Sequence, residues 1–267
     1  MAEARILTRA PDDAALHDEP LIRRIGAAEV WDALREGWED FQAHPTQLVF
    51  LGILYPVLGF VIGYAASGRN ALPLLWPLVS GFALLGPVAA IGIYELSRRR
   101  ERNLPSTWLN AFDVLRSPNL GGVLLLGLGL LVLFVLWLLV ARGIYDAIFT
   151  GPAPASFEAL VRAVLHTPEG HRLMLVGNAV GFLFALVVLM VSVVSFPLML
   201  DRPVGPLTAV RTSVRAVLAN PAPLALWGLI VAGLLAIGSV PVLVGLAVVV
   251  PVLGHATWHL YRKLVAR

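Results

Sequence analysis

The sequence predicts an all-α, polytopic membrane protein with six transmembrane helices, arranged as three repeats of an interfacial amphipathic helix followed by a transmembrane hairpin. The 267 residues are 58% hydrophobic and 14% charged, whereas soluble proteins are about 45–50% apolar and roughly a quarter charged. Lipid must therefore be the solvent for most of the chain. Long apolar runs recur along the sequence, and an amphipathic segment that ends at a polar residue followed by proline occurs three times.

The N-terminal segment, residues 1–26, contains five acidic residues and has no apolar core of the kind found in a signal peptide. Its polar composition predicts a mostly disordered cytoplasmic tail. The remaining residues, 27–267, are predicted to form one transmembrane domain of six helices.

Six segments of this domain are mostly apolar, as a helix that crosses about 30 Å of hydrocarbon must be. They are residues 48–67, 71–96, 121–141, 173–200, 223–237 and 242–261. The fifth is short, and its turn into the sixth lies at Gly238-Ser239-Val240-Pro241. An external insert, residues 150–172, separates the third span from the fourth. Ser156 is a candidate N-cap with Glu158 in the first turn, which predicts a short helix in the insert.

The predicted repeat rests on three segments in which apolar residues recur every three or four positions, a spacing that is typical of an amphipathic helix. Such a helix can lie in the headgroup layer with Trp or Arg at its edge. The interfacial residues predicted on this basis are Trp31, Trp38, Trp108, Arg211 and Arg215. The three copies end at His44-Pro45, Ser117-Pro118 and Asn220-Pro221.

The basic residues predict the orientation. With the N-terminus inside, 16 of the 20 Arg and Lys residues fall on the cytoplasmic side and 4 on the other. Because cytoplasmic loops carry an excess of Arg and Lys, both termini are predicted to be cytoplasmic.

Few polar side chains occur in the predicted spans, and the clearest are His255 and His259. They are four residues apart and share one helix face, so that they could bind a metal or supply an axial haem ligand. A third ligand would have to come from elsewhere, and Glu95 and His44 are candidates at similar depth. The alternative is structural hydrogen bonding near the interface. Glu95 itself is interpreted either as a proton-carrying carboxylate or as the ion-pair partner of Arg98 or Arg99.

Small residues four apart predict close helix packing, and the helix that packs could belong to the same chain, to a second copy in a homo-oligomer or to a larger membrane complex. The pairs are Gly59 with Gly63 and Gly177 with Gly181, and Asn178 could hydrogen-bond across the second contact.

Enzyme signatures are not found: the sequence has no phosphate loop, HExxH or GxSxG motif and no cysteine. We therefore expect a non-catalytic membrane-organising or accessory subunit, with no cofactor, no nucleic-acid partner and the lipid bilayer as its surroundings. A first alternative is a small-molecule or lipid transporter, because prolines interrupt the apolar runs at Pro56, Pro77, Pro87, Pro197 and Pro251. A second alternative is a haem- or metal-binding redox accessory protein that uses the two histidines.

Four blocks of sequence carry a family resemblance. They are Trp38-Glu39-Asp40-Phe41 with His44-Pro45, Gly86-Pro87 with Tyr94-Glu95-Leu96-Ser97-Arg98-Arg99, Phe196-Pro197 with Asp201-Arg202, and Gly254-His255-Ala256-Thr257-Trp258-His259-Leu260-Tyr261-Arg262. Together they resemble a bacterial family of predicted integral membrane proteins, a domain of unknown function, over Trp31 to Val265. The resemblance implies a multi-pass protein of the bacterial cytoplasmic (inner) membrane. Some relatives carry a label resembling cytochrome c oxidase subunit I, but six helices are half the number in that subunit.

Overall fold

A computed structural model describes residues 20–43, 72–151, 154–240 and 244–266. Within these ranges the chain is helical and has no β-strand, apart from an isolated antiparallel bridge between Ile22 and Val265. The all-α prediction is confirmed for this part of the chain. The first predicted span with Gly59 and Gly63, and the candidate ligand His44, lie outside the described residues.

The α-helices are numbered in chain order. They are α1 (Ala27–Ala43), α2 (Leu75–Gly81), α3 (Gly86–Ala89), α4 (Ile91–Glu101), α5 (Leu120–Ile148), α6 (Phe157–His166), α7 (Pro168–Ser192), α8 (Ser195–Asp201), α9 (Pro206–Ala219), α10 (Pro221–Ser239) and α11 (Leu246–Leu264). Short 3-10 helices cover Leu72–Leu74, Phe82–Leu85 and Trp108–Arg116.

Four stretches of helix in the described residues are long and apolar enough to cross a membrane. They are Leu72–Glu101, Leu120–Ile148, Pro168–Asp201 and Pro221–Ser239, and they correspond to the second to fifth predicted spans. The sixth predicted span is the helix α11, but it is not one of the four, because its second half carries two histidines, Arg262 and Lys263. The described residues therefore support four of the six spans.

The stretch Leu72–Glu101 is not one regular helix. It alternates between 3-10 and α segments where Pro73, Pro77 and Pro87 occur, because proline lacks the amide hydrogen that a continuous helix needs. The helix α5 packs against this irregular stretch, and the Trp137 indole Nε1 donates to the Pro77 carbonyl at 2.8 Å. A Cβ on Gly81 would lie 2.7 Å from the Phe134 ring and 2.8 Å from that of Trp137. Aromatic side chains thus occupy the space beside the interrupted helix.

Three of the four apolar stretches are longer than a membrane requires, and two of these three end in the same cluster of helices. Leu72–Glu101 has 30 residues and Pro168–Asp201 has 34, whereas about 20 suffice. The ends of these stretches, α4 and α8, pack with α1 and with residues 255–264 of α11, and we call this cluster the cap. The cap holds most of the largest fully buried side chains of the described residues, among them Val30, Leu96, Phe196, Leu198, Met199, Trp258, Leu260, Tyr261 and Leu264.

The helix α5, in contrast, exposes apolar side chains along much of its length. Examples are Leu124, Leu125, Leu128, Leu131 and Leu139. An exposed apolar surface of this extent would aggregate in water but is expected where a helix faces lipid. The best-packed part of the described chain is therefore the cap, and the apolar helices present much of their surface to the bilayer.

The three predicted amphipathic segments are all helical, but they differ in type. The first is α1 and the third is α9, whereas the second is the nine-residue 3-10 helix Trp108–Arg116. In that 3-10 helix the apolar side chains Trp108, Leu109, Phe112 and Leu115 are all exposed. Trp31, Trp38, Arg211 and Arg215 are also exposed. This exposure agrees with an interfacial position, but the repeat arrangement and the headgroup contacts stay predictions.

The predicted helix of the external insert is confirmed as α6. The Ser156 hydroxyl accepts a hydrogen bond from the Ala159 backbone N–H at 3.1 Å, as an N-cap does. At the other end Thr167 caps α7, where its hydroxyl accepts from the Gly170 N–H and donates to the Ala163 carbonyl. A Cβ on Gly170 would lie only 2.2 Å from the Val164 carbonyl oxygen. The sharp turn between α6 and α7 therefore requires glycine at position 170.

Replacing Gly170 by alanine is expected to force α6 away from α7. The added methyl group overlaps two carbonyl oxygens of α6, and overpacking of this kind costs roughly 1–3 kcal/mol. Hydrogen exchange of the α6 amides should become faster in the variant. The control is Gly151→Ala in the same connection between α5 and α7, where a Cβ meets no atom within 4 Å. Equal protection of α6 in both variants would contradict the packing described here.

The N-terminal segment before α1 is tied to the C-terminus and to α9. The Arg23 N–H donates to the Leu264 carbonyl at 2.8 Å, and the Ala266 N–H donates to the Leu21 carbonyl at 2.9 Å. Asn220, which is 2% exposed, accepts from the Ile25 N–H and donates to the Arg23 carbonyl. Residues 21–25, at the end of the predicted tail, therefore have hydrogen-bond partners in a buried amide and in the C-terminal backbone.

Replacing Asn220 by alanine is expected to release this segment. Loss of a buried hydrogen-bond partner costs about 1–3 kcal/mol, so hydrogen exchange at the Ile25 amide should accelerate about tenfold. Asn110→Ala is the control, since the Asn110 side chain bonds only to Thr107 and Asp113 among the described residues. Unchanged exchange at Ile25 in the Asn220 variant would show that the amide does not hold the segment.

Candidate functional site

The helix α1 brings a polar group into the cap on its buried face. Val30, Ala33, Gly37 and Asp40 recur at the spacing of one helix face, and all are buried. Gly37 lets this face approach α11 closely, because a Cβ there would lie 2.5 Å from the Ala256 backbone nitrogen. The apolar part of the face packs on α11, so the carboxylate of Asp40, one turn beyond Gly37, is also carried into the interior.

Asp40 joins three helices at the centre of the cap. Its Oδ2 accepts a hydrogen bond from the Ser97 hydroxyl of α4 at 2.6 Å and lies 2.8 Å from the His259 Nε2 of α11. The Ser97 Oγ is in turn 2.7 Å from the His255 Nδ1. Asp40, Ser97 and His255 are 5%, 1% and 0% exposed. We call these four residues the cap cluster.

The proton positions follow from the partners. Ser97 has one hydroxyl hydrogen, which it donates to the carboxylate of Asp40, so that its oxygen accepts from the His255 Nδ1–H. Both ring nitrogens of His259 face carboxylate oxygens, Asp40 Oδ2 at 2.8 Å and Glu36 Oε2 at 3.1 Å. Since a carboxylate only accepts, the ring donates from Nε2 in the hydrogen bond to Asp40.

Two basic side chains form ion pairs with the acidic groups of α1. The Arg100 Nη1 lies 3.0 Å from Asp40 Oδ1, and the Lys263 Nζ lies 2.9 Å from Glu36 Oε1. Burial raises the pKa of Asp40, but the hydrogen bonds from His259 and Ser97 and the nearby histidine charges outweigh burial, and the net effect is a pKa below the usual 3.8. Asp40 is therefore held as a carboxylate.

A second set of polar contacts in the cap involves the carboxylates of Asp201 and Glu101. The Asp201 carboxylate accepts from the Tyr261 hydroxyl at 2.8 Å and from Arg262 at 3.0 Å. Arg262 also donates to Glu101 at 3.0 Å, and the Trp258 indole donates to Glu101 at 3.1 Å. These contacts join α4, α8 and α11 in the way that the cap cluster joins α1, α4 and α11.

Glu95, a candidate ligand or proton carrier, lies in the cap with 3% exposure. It pairs with Arg98, whose Nε and Nη2 lie 2.7 and 2.9 Å from the two carboxylate oxygens. Arg98 also donates to the Leu200 carbonyl at 3.2 Å. This is the local ion pair that the three-residue spacing favours. The contacts of Glu95 do not include either histidine.

The two histidines are brought together with carboxylates, but not in the form of a metal site. Within the ranges that the structure describes, no group of three or more His, Cys, Asp or Glu residues is arranged to hold a metal ion. The His259 nitrogens face Asp40 and Glu36, and the Nε2 that donates to Asp40 has no lone pair free for a metal. Haem or metal binding by His255 and His259 stays a prediction.

Three residues of the cap cluster are of the types found in a catalytic triad, namely Ser97, His255 and Asp40. In a triad the histidine lies between the serine and the carboxylate and removes the proton from the hydroxyl. Here the hydroxyl lies between the other two, and it gives its hydrogen to Asp40. The His255 Nδ1 is 3.8 Å from Asp40 Oδ2. The arrangement therefore orients the three side chains but does not activate the serine.

The predicted packing residues of α7 separate into two groups. Gly181 faces the bundle, where a Cβ would lie 3.1 Å from the Trp137 ring of α5. A Cβ on Gly177 would meet no atom within 4 Å, and the Asn178 side chain is exposed and donates to the Met174 carbonyl of its own helix. Only Gly181 contacts another helix of the described chain in the way the spacing predicts.

Comparison with known proteins adds one finding. Residues 75–201 match the model of DUF2189, a family described as a predicted integral membrane protein. The chain is a multi-pass integral membrane protein. The match supports the predicted resemblance to a membrane family of unknown function, over a shorter stretch than Trp31 to Val265. Comparisons with curated proteins and with solved structures find no match.

Asp40 and Ser97 fall in the blocks that carry the family resemblance but are not among the predicted site residues, and the helix pattern holds a further signal for Asp40. An acidic residue on the same helix face as Val30 and Ala33 interrupts an otherwise apolar stripe, which is unusual unless the acid has a partner. No comparable signal identifies Ser97, because serine is common in helices and its partners are 57 and 158 residues away.

Proposed function

We propose that the chain is a non-catalytic membrane-organising or accessory subunit whose cap is the end that meets a protein partner. One observation carries the proposal: the polar side chains of the cap are engaged in contacts with one another, whereas large apolar side chains are exposed on α1 and on the 3-10 helix Trp108–Arg116, which packs on α4 of the cap. Trp31 and Trp38 on α1 are 54% and 45% exposed, and Trp108 and Phe112 are 51% and 53% exposed. Exposed aromatic clusters are typical of interaction surfaces.

The proposed location is the bacterial cytoplasmic membrane, with both termini and the cap in the cytoplasm. The excess of Arg and Lys on that side supports this orientation. The pairing of residues 21–23 with residues 264–266 supports a common side for the two termini. A reporter that is active only in the periplasm, fused after Arg267, should therefore be inactive.

Site-specific photocrosslinking in cells tests the partner-binding role. A benzophenone amino acid replaces Trp38 or Phe112, and a third variant carries it at Leu128, an exposed residue of α5. The proposal predicts a discrete protein adduct, with a mass other than twice that of the chain, from positions 38 and 112 but not from 128. Adducts to lipid only at positions 38 and 112 would contradict it and would favour contact with the headgroup layer.

Transport is the second candidate function, and the interrupted helix Leu72–Glu101 favours it. Transporters build substrate sites from discontinuous helices, and here short 3-10 and α segments alternate between Leu72 and Ala89. Stopped-flow swelling of proteoliposomes in glycerol, sugars and amino acids tests this candidate against protein-free vesicles. Swelling at the protein-free rate is expected for an accessory subunit, and faster swelling in one solute class would favour a transporter.

A further inference from the structure

The helix α7 carries one strongly polar side chain at membrane depth. Between Arg172 and Ser192 the sequence is apolar except for Asn178, which lies ten residues into the apolar stretch Pro168–Asp201. Six residues at 1.5 Å each place it about 9 Å beyond Arg172, the last charged residue before the apolar run. A polar side chain in hydrocarbon is costly, and such residues almost always face protein or a water-filled cavity.

Asn178 lies on the side of α7 that faces away from the rest of the described chain. Gly181 packs on Trp137 of α5, whereas Asn178 is exposed and its neighbours along the helix, Leu175 and Phe182, are 75% and 64% exposed. A shallow depression lined by Met174, Leu175, Asn178 and Ala179 lies at this point. The surface around Asn178 is therefore an outward face of α7 with a polar centre and apolar flanks.

The Asn178 amide has hydrogen-bonding capacity beyond its own helix. Its Nδ2 donates to the Met174 carbonyl at 2.8 Å. A carboxamide has two N–H donors and an acceptor oxygen, so one N–H and Oδ1 are available to a partner outside the described chain. A donor and an acceptor on the same group are complementary to an identical group turned by a half rotation.

We propose that two copies of the chain associate through this face of α7, with each Asn178 bonded to the Asn178 of the other copy. All copies share one orientation in the membrane, so the two-fold axis of such a dimer runs along the membrane normal. It places each residue of the contact opposite its own counterpart. The carboxamide pair satisfies the polar groups that lipid would leave exposed. This proposal is independent of the function proposed for the cap.

Cysteine crosslinking tests the proposal directly, because the natural chain contains no cysteine. Leu175→Cys lies one turn from Asn178 on the same face, and Leu128→Cys on α5 is the control, with 75% and 56% exposure of the native side chains. Oxidation in native membranes is expected to give a disulfide-linked species of twice the chain mass for Leu175→Cys and not for Leu128→Cys. Both single variants keep Asn178 and alter only an exposed side chain.

A second variant assigns the association to the amide. Adding Asn178→Leu to Leu175→Cys should reduce the crosslinked fraction about threefold or more, as expected for the loss of an interhelical hydrogen bond in a membrane. No dimer above the Leu128→Cys background would overturn the proposal. A dimer that is unchanged by Asn178→Leu would overturn the role of the amide. An adduct to a different protein at position 175 would assign the face to another partner and would also overturn it.

Discussion

Replacing Gly37 by valine is expected to separate α1 from α11 and to abolish the cap. The first added carbon would lie 2.5 Å from the Ala256 nitrogen and 2.6 Å from its Cα, and these backbone atoms cannot rotate away as a side chain does. Ordinary overpacking costs about 1–3 kcal/mol, and the cost here should exceed that range because the two helix backbones must move apart. The folded, monodisperse fraction after detergent extraction measures the effect.

Gly129→Val is the matched control for this substitution. Gly129 lies within α5, and a Cβ there meets no atom within 4 Å, so the same chemical change should leave the chain folded. Limited proteolysis adds a local measure, since α1 released from the cap should be cleaved between Ala27 and Ala43. A Gly37→Val protein that is as monodisperse and as resistant as the Gly129→Val protein would contradict the close packing of α1 on α11.

Replacing Asp40 by asparagine is expected to destabilise the cap by about 3 kcal/mol. The change removes the carboxylate that the His259 ring and the Arg100 guanidinium face at 2.8 and 3.0 Å, and losing the buried partner of such contacts is costly. The unfolding temperature in detergent, followed by tryptophan fluorescence, measures the loss. Asp32→Asn on the same helix is the control, because its pair with Arg35 is exposed and exposed pairs contribute little.

The pH dependence of this difference follows from the lowered pKa of Asp40. A carboxylate whose pKa is lower in the folded state than the usual 3.8 contributes stability above that value, and the contribution is lost as the pH falls through the folded-state pKa. The difference in unfolding temperature between the native protein and Asp40→Asn should therefore persist from neutral pH down to about pH 4 and shrink below it. A difference that vanishes between pH 7 and pH 5 would mean that the pKa is raised instead.

The apolar helices could be predicted from sequence because their signal is local. Four predicted spans correspond to apolar helices of the described chain, since the length of an apolar run is a property of the run itself. The cap of α6 by Ser156 and the ion pair of Glu95 with Arg98 are local in the same way. They involve residues three positions apart, at which a helix brings side chains together.

The cap could not be predicted, because an amphipathic pattern does not tell lipid from protein. The interfacial interpretation of α1 rests on Trp31 and Trp38, yet its buried face is formed by smaller residues such as Val30 and Ala33. Those side chains allow another helix to approach, and the tryptophans remain on the outside. The same ambiguity affects α11, whose apolar half suggests a span while its other half packs in the cap.

The candidate site was predicted only in part for a related reason. The spacing of His255 and His259 places them on one face, but it does not say what the face meets. Their partners come from Ser97 and Asp40, which are 158 and 219 residues away in the sequence. Contacts between residues so far apart depend on how the helices assemble, and neither composition nor periodicity specifies that assembly.

The central structural claim is that the Asp40–His259 contact holds α1 to α11 in the cap. A double-mutant cycle with Asp40→Asn and His259→Gln, read as free energies of unfolding in detergent, tests it most directly. The structure predicts a coupling energy of about 1–3 kcal/mol, because the two side chains are in contact and partly buried. Additive effects of the two substitutions, within about 0.3 kcal/mol, would mean that the two residues do not interact and would contradict the claim.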